Sequence, residues 1–399
     1  MGDELLKRIH AGSVPYCRGR KYIPPTKGIS YSTAMRILVA LSGGIDSSVV
    51  AHMLAAQGHD LVGVRFTLWS DPLAPALASV LPSKCCNAQT AARAAAVCTK
   101  LRIPYHIVNL EEIFKEEVVD PFLEGYRKGL TPNPCIRCNR TIKFGTLLRL
   151  MEEFGCEKLA TGHYARVAVE ETSGGQKRFL LLEAADASKD QSYYLYGLSQ
   201  QQLQHALFPL GAMAKREVFA LAENFGVPYE RLHYRESQDL CFFPEKSPQA
   251  FLKRHLQSAL VPGKIVRRNG TILGTHAGLP LYTIGQRHGL GIGGLKIPLE
   301  VVEKDQSKNT LIVANKGEEK VKQVKLKALR FVAWKPEEGK KHPFEARSRS
   351  LSLRVQGDLE FRRTRGTFSF HRSTGPQAPG QSLVLYRGEE VVGGGVICV

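Results

Sequence analysis

The chain has 399 residues, 43% of them apolar and 8% aromatic, which is enough for two or three domains with cores of their own. It contains no run of eighteen apolar residues, so a membrane-spanning helix is excluded, and its nine cysteines, an odd number with no secretory signal, fit a reducing compartment better than a disulfide framework. The formal charge of +18 is uneven: residues 264–399 hold 24 Lys and Arg against 12 Asp and Glu, so a polyanionic partner is expected to bind mainly there.

Residues 1–34 carry Lys7, Arg8, Arg18, Arg20, Lys21 and Lys27 and no acid after Glu4. Such a segment resembles a mitochondrial presequence, the other readings being a disordered basic arm and a bacterial cytoplasmic protein. Ile37 to Leu41 then read as a buried parallel strand, and Ser42-Gly43-Gly44 as a tight turn. Asp46, Ser47 and Ser48 suit the first turn of a helix, in which Val49, Val50, Met53 and Leu54 recur at helical spacing. A strand, a Gly-rich turn and a helix present unpaired N–H groups to whatever lies above the turn, and an anion fits there. The spacing is neither that of a P-loop, since no lysine follows the glycines, nor Gly-x-Gly-x-x-Gly.

Short apolar runs and helical stretches go on alternating: strands at Leu61–Phe66, Pro104–Leu110 and Leu159–Tyr164, helices at Asn87–Leu101, Glu111–Tyr126 and Phe144–Phe154. This predicts an α/β domain over 35–247, a doubly wound parallel sheet with ligands at the carboxyl ends of its strands, where Phe66 and Gly162 are candidates for an adenosine pocket. After a helix at Gln249–Leu260, Gly-broken short strands suggest a small central domain over 248–315. Strands at Val324–Trp334, Ser350–Val355, Ser382–Tyr386 and Val391–Cys398 predict an antiparallel β-barrel over 316–399.

Within Thr131–Phe144, Cys135 and Cys138 stand three apart beside Arg137, Arg140 and Lys143, positive neighbours that favour low-pKa thiols. A lone Cys-x-x-Cys is ambiguous among a redox pair, half a zinc site and a cluster ligand set, and Cys241 is the further partner the sequence offers.

Ser42-Gly-Gly-Ile-Asp-Ser-Ser48 resembles the pyrophosphate loop of the ATP pyrophosphatases. Together with the Thr131–Phe144 loop, Ala160-Thr-Gly-His-Tyr164, Lys189-Asp-Gln-Ser-Tyr193, Asp239-Leu-Cys-Phe242 and Thr283–Gly294, in that order, it is similar to the tRNA-specific 2-thiouridylases from about Met35 to the end of the chain. The resemblance implies that ATP is held by Ala40, Leu41, Ser42, Gly43, Gly44, Ile45, Asp46 and Ser47, with Mg2+ neutralising the pyrophosphate, while the wobble uridine of a tRNA anticodon stem-loop is adenylated on its C2 oxygen and then thiolated. It further implies that Cys241 carries a persulfide delivered by an upstream persulfide or sulfide donor, and that Cys138 resolves it. Asn133, Pro134, Cys135, Lys189, Asp190, Gln191, Gln286, Arg287 and Arg354 would contact the tRNA. Many relatives carry aspartate at the position of Cys135, so Cys135, Cys138 and Cys241 could alternatively ligate a [4Fe–4S] cluster.

Overall fold

The computed structural model describes residues 34–75, 88–228, 240–245 and 247–398. The basic arm, Cys17, the Cys85-Cys86 pair and Asp239 lie outside the described residues. Five strands, β1 (Arg36–Ala40), β2 (Asp60–Thr67), β3 (Tyr105–Asn109), β4 (Lys158–Ala160) and β7 (Ala206–Leu207), form a parallel sheet in the order β3-β2-β1-β4-β7. Ile37, Leu38 and Val39 in its centre are fully buried, as a parallel strand covered on both faces requires. Chain order runs outward from β1 to β3 on one side and from β4 to β7 on the other, so the crevice at the carboxyl ends of β1 and β4 is the switch point where such sheets bind ligands. Helix α1 (Ile45–Ala56) leaves β1 into that crevice. The Ala-rich helix α2 (Ala88–Leu101) buries Thr90, Ala94, Val97 and Cys98, one stripe at helical spacing.

The expected strand at Leu159–Tyr164 ends at Ala160, because Thr161 to Tyr164 turn across the top of the crevice. Sequence reasoning missed the hairpin β5 (Arg166–Glu171) and β6 (Lys177–Leu182), whose second strand pairs with the last strand of the barrel, Leu182 with Glu390 and Leu181 with Val391. The central part is a four-stranded sheet of β8 (Gly263–Arg267), β9 (Ile272–His276), β10 (Leu299–Asp305) and β11 (Thr310–Asn315), ordered β10-β11-β8-β9. The C-terminal part is a closed six-stranded antiparallel barrel: β12 (Val321–Phe331), β13 (His342–Arg347), β14 (Val355–Arg362), β15 (Arg365–Thr374), β16 (Ser382–Arg387) and β17 (Glu390–Cys398), with β12 pairing β17 to close it. One apolar cluster runs from Leu38 and Val64 through Tyr193 and Tyr196 to Val384, Tyr386 and Val391, so sheet and barrel share a core. No helix among the described residues is long and apolar enough to cross a membrane.

The expected strand at Ser350–Val355 is instead a turn, and strand β14 starts at Val355. Leu351 at φ +60 cannot continue a strand, and the Arg354 side chain is drawn inward. Its guanidinium binds Glu345 at 2.7 Å and also Glu183, and lies 4.5 Å over the Tyr386 ring, with Arg347 on Glu183 at 2.8 Å beside it. Four charged groups from hairpin and barrel thus neutralise one another with little exposure. Arg354→Ala leaves Glu183 with Arg347 alone and removes this partner from Glu345, and a loss of about 1–3 kcal/mol is expected, read by denaturant unfolding.

Candidate active site

The loop after β1 is preorganised by its own side chains. Ser47 Oγ accepts from the Ser42 amide at 3.2 Å, donates to the Gly44 carbonyl at 3.1 Å and lies 3.1 Å from Ser42 Oγ, which accepts from the Gly44 amide at 3.3 Å. Gly43 has φ +77, and a Cβ there would stand 2.0 Å from the Thr90 carbonyl oxygen, so only glycine fits between α1 and α2. Gly44 caps α1 in extended conformation, leaving the first-turn amides directed at the crevice. Beneath the loop, buried Arg65 donates to the Ser42 carbonyl at 2.8 Å and to Thr90 Oγ1 at 3.0 Å. The sequence signal for this clamp is a lone cation inside an apolar parallel strand.

Asp46 faces the crevice, and its Oδ1 accepts from Lys215 Nζ at 2.6 Å and from Tyr164 Oη at 3.0 Å. Lys215 opens helix α3 (Lys215–Asn224), is almost wholly buried, and its Nζ lies 5.5 Å from the Tyr164 ring and 5.1 Å from that of Phe219. The loop without a lysine therefore has one, contributed 169 positions further along the chain. Gly162 packs onto the same loop, where a Cβ would come within 3.0 Å of the Ser47 amide nitrogen. Ala40, Leu41 and Ile45 line the strand end and helix start, and half-buried Phe66 packs at the end of β2 between two core clusters. His163 meets Thr161 Oγ1 at 2.8 Å through Nδ1, and burial, helped by the Lys143 charge, pushes its pKa down to about 3. It is neutral at physiological pH.

The cysteine loop is fastened at both ends. Asn133 accepts from the Cys135 amide at 3.2 Å as a helix cap, Pro134 occupies the first turn, and the helix widens into a π-helical stretch at Cys138–Lys143. Upstream, the Thr131 amide donates to the Pro379 carbonyl at 2.7 Å and Gln381 Nε2 to the Thr131 carbonyl at 2.8 Å. Cys138 is buried in the core cluster against which Cys241 packs, and the Phe242 carbonyl accepts from the Asp71 amide at 3.1 Å. Among the described residues, all six cysteines, including Cys135, Cys138 and Cys241, are thiols.

One expectation for these thiols is corrected. Burial, with the neighbouring Cys138 adding and Lys143 opposing, pushes the Cys135 thiol up to about 11, so it is no low-pKa nucleophile; Arg137 is engaged by Glu117 at 2.6 Å. Among the described residues no group of three His, Cys, Asp or Glu side chains is set to hold a metal ion.

The residues expected to contact RNA divide into two kinds. Asp190 is buried, accepting from the Ala184 amide at 3.0 Å and from Ser192 Oγ at 2.9 Å, and Gln191 holds Tyr164 by exchanging hydrogen bonds with its backbone. With Arg354 they act as internal fasteners. Lys189 is half-buried on the same turn, whereas Arg287 is exposed on a Gly-rich loop whose stem Gln286 closes through Thr283 and His288.

Three family models match in succession: a tRNA methyl transferase HUP domain over residues 35–245, a tRNA methyl transferase PRC-barrel domain over 249–315, and an aminomethyltransferase β-barrel domain over 321–397. The chain is 40% identical over 367 residues to tRNA-specific 2-thiouridylase MnmA 1 of Caldanaerobacter subterraneus subsp. tengcongensis, covering 91% of this chain and 97% of that one. It is 39% identical to the MnmA of Herpetosiphon aurantiacus (91% and 98% covered) and 36% identical to that of Symbiobacterium thermophilum (95% and 98% covered). These relatives are bacterial and lend no support to a mitochondrial leader. With the pyrophosphate-type loop and the two-cysteine core already in place, the match along nearly the whole length shows that this chain belongs to the tRNA-specific 2-thiouridylase family.

Proposed function

We propose that the protein is an ATP-dependent tRNA-uridine 2-sulfurtransferase that converts the wobble uridine to 2-thiouridine, releasing AMP and pyrophosphate. The observation that carries this reading is the pairing of a rigid anion-binding loop at the sheet's switch point with Cys138 and Cys241 at a common core cluster. In the first step the uridine C2 oxygen attacks the α-phosphorus of ATP and pyrophosphate leaves toward the α1 amides and Lys215. Mg2+, held by phosphate oxygens with Asp46 as the loop's carboxylate, would add further charge neutralisation.

In the second step the outer sulfur of a Cys241 persulfide attacks C2 and AMP departs with its bonding pair. The Cys138 thiolate then attacks Cys241 Sγ; the sulfur–sulfur bond breaks, its electron pair stays with the sulfur on C2, and a Cys138–Cys241 disulfide remains for an external dithiol to reduce. No step is assigned to a cluster. Mass analysis of wobble uridines after incubating pure protein with ATP, a persulfide donor, a dithiol and unmodified tRNA tests the reading, and unchanged uridine would overturn it.

The barrel supplies the electrostatic part of binding. Lys322, Lys325, Lys327 and Arg330 are exposed along β12. Reversing Lys325 and Lys327 to Glu is expected to flatten the plot of log affinity for tRNA against log salt by about one to two units, near 0.9 for each phosphate that is no longer neutralised, as measured by filter binding over a salt series.

A further inference from the structure

The turn between β13 and β14, residues 348–354, has no part in the reaction above, yet it is tied to the cysteine loop through two tyrosines. Tyr193 Oη lies 3.3 Å from the Ser348 carbonyl oxygen and is hydrogen-bonded to the Asn133 side chain. Tyr194 bonds the Ser350 side chain, lies near Cys135, and accepts from Asn139 Nδ2 at its carbonyl at 3.2 Å. On the other side Arg349 lies against the Gly-rich loop, since a Cβ on Gly285 would stand 2.7 Å from its Nη2. The stem of the turn is therefore fixed beside Asn133 and Cys135, where the substrate base must arrive.

From that stem two leucines face solvent, Leu351 at 55% and Leu353 at 91% exposure. Leu353 is the most exposed large apolar side chain among the described residues, and it sits between Arg349 and the inward-turned Arg354. Leu351 holds φ +60, a left-handed conformation that is unfavourable for a branched side chain and persists where neighbouring contacts impose it. Neither leucine is needed by the core beneath. A target uridine cannot react while stacked in an anticodon loop, and RNA enzymes keep a base out of its stack by packing apolar or aromatic groups on the faces of its neighbours.

We propose that Leu351 and Leu353 form an apolar wedge that packs on a nucleobase adjoining the target uridine and keeps the single-stranded loop open while that uridine lies beside Cys135. The inference rests on the tRNA reading above and names the chemistry of one further subsite: the face of an unstacked base, recognised without charge.

Because no phosphate is involved, the wedge has its own signature. An unmodified anticodon stem-loop RNA should bind Leu353→Ala about 5–10-fold more weakly than the parent, and the double variant Leu351→Ala/Leu353→Ala more weakly still, by the same factors at low and high salt. Leu353→Met, which restores apolar contact, should recover most of the loss. An abasic nucleotide placed on one or the other side of the target uridine should abolish the difference between parent and variant for one of the two RNAs, and ATP binding by all variants should match the parent. Equal RNA affinity of parent and double variant, a loss that vanishes at high salt, or a loss undiminished by either abasic RNA would overturn the wedge. Failure of the parent itself to bind or thiolate tRNA would instead overturn the functional reading on which it rests.

Discussion

Lys215→Met is expected to lower tRNA-dependent pyrophosphate release by about 10²- to 10³-fold, the scale on which removal of one preorganised group facing developing charge is felt. The reason is electrostatic: the lysine that reaches this pyrophosphate loop is nearly buried, held at 2.6 Å by Asp46 and braced by two aromatic rings. In so dry a setting a fixed cation acts strongly on the leaving pyrophosphate, and it needs no reorganisation at the moment of bond breaking. Asp46→Asn should be nearly as damaging, because it leaves that cation buried without its counter-charge; Ser47→Ala should be damaging too, by undoing the three hydrogen bonds that shape the loop. Pyrophosphate release with saturating ATP and tRNA is the measurement, and near-parental rates in Lys215→Met and Asp46→Asn alike would remove this loop from the chemistry.

The second large effect separates the two halves of the reaction. Cys138→Ser and Cys241→Ser should each reduce 2-thiouridine to background, at least roughly 10³-fold, since a hydroxyl neither carries a sulfane sulfur nor resolves one. Both should still release pyrophosphate when tRNA is present, because adenylation precedes any sulfur transfer. Cys135→Asp should keep most of the thiolation, as a thiol that burial holds near a pKa of about 11 is not the nucleophile of this scheme. Thiolation surviving in either serine variant would break the assignment of roles, and its loss in Cys135→Asp would show that the third sulfur is also needed.

What the sequence made legible follows from how local each signal is. Ser42 to Ser48 announced their own geometry because a strand, a glycine turn and a helix follow one another without interruption, and Cys135 and Cys138 because one short loop holds both. Lys215 was silent: nothing near Ala214-Lys-Arg-Glu217 distinguishes it from any helix start, and its partner is 169 positions away. The hairpin β5–β6 was silent for a similar reason, since its pairing partner is the end of the barrel. Charge counting located a basic tail, but it could not tell Arg354, bound inward by Glu183 and Glu345, from Lys325, which faces solvent. The positive neighbours of Cys135 suggested an acidic thiol for the same reason: sequence displays charge and hides burial.

The hydrogen bonds that tie Thr131 to Pro379 and Gln381, its amide donating to the Pro379 carbonyl and its carbonyl accepting from Gln381 Nε2, also set the order in which the molecule can become competent during synthesis. The strut for the cysteine loop is made 250 positions after the loop itself, which at roughly 5–20 residues per second is an interval of tens of seconds. Throughout that interval the cysteine loop lacks both of these hydrogen bonds. A polypeptide cut short within the barrel would lack the strut that fastens the cysteine loop, so the barrel acts as a proof of full length for the chemistry at the other end of the chain.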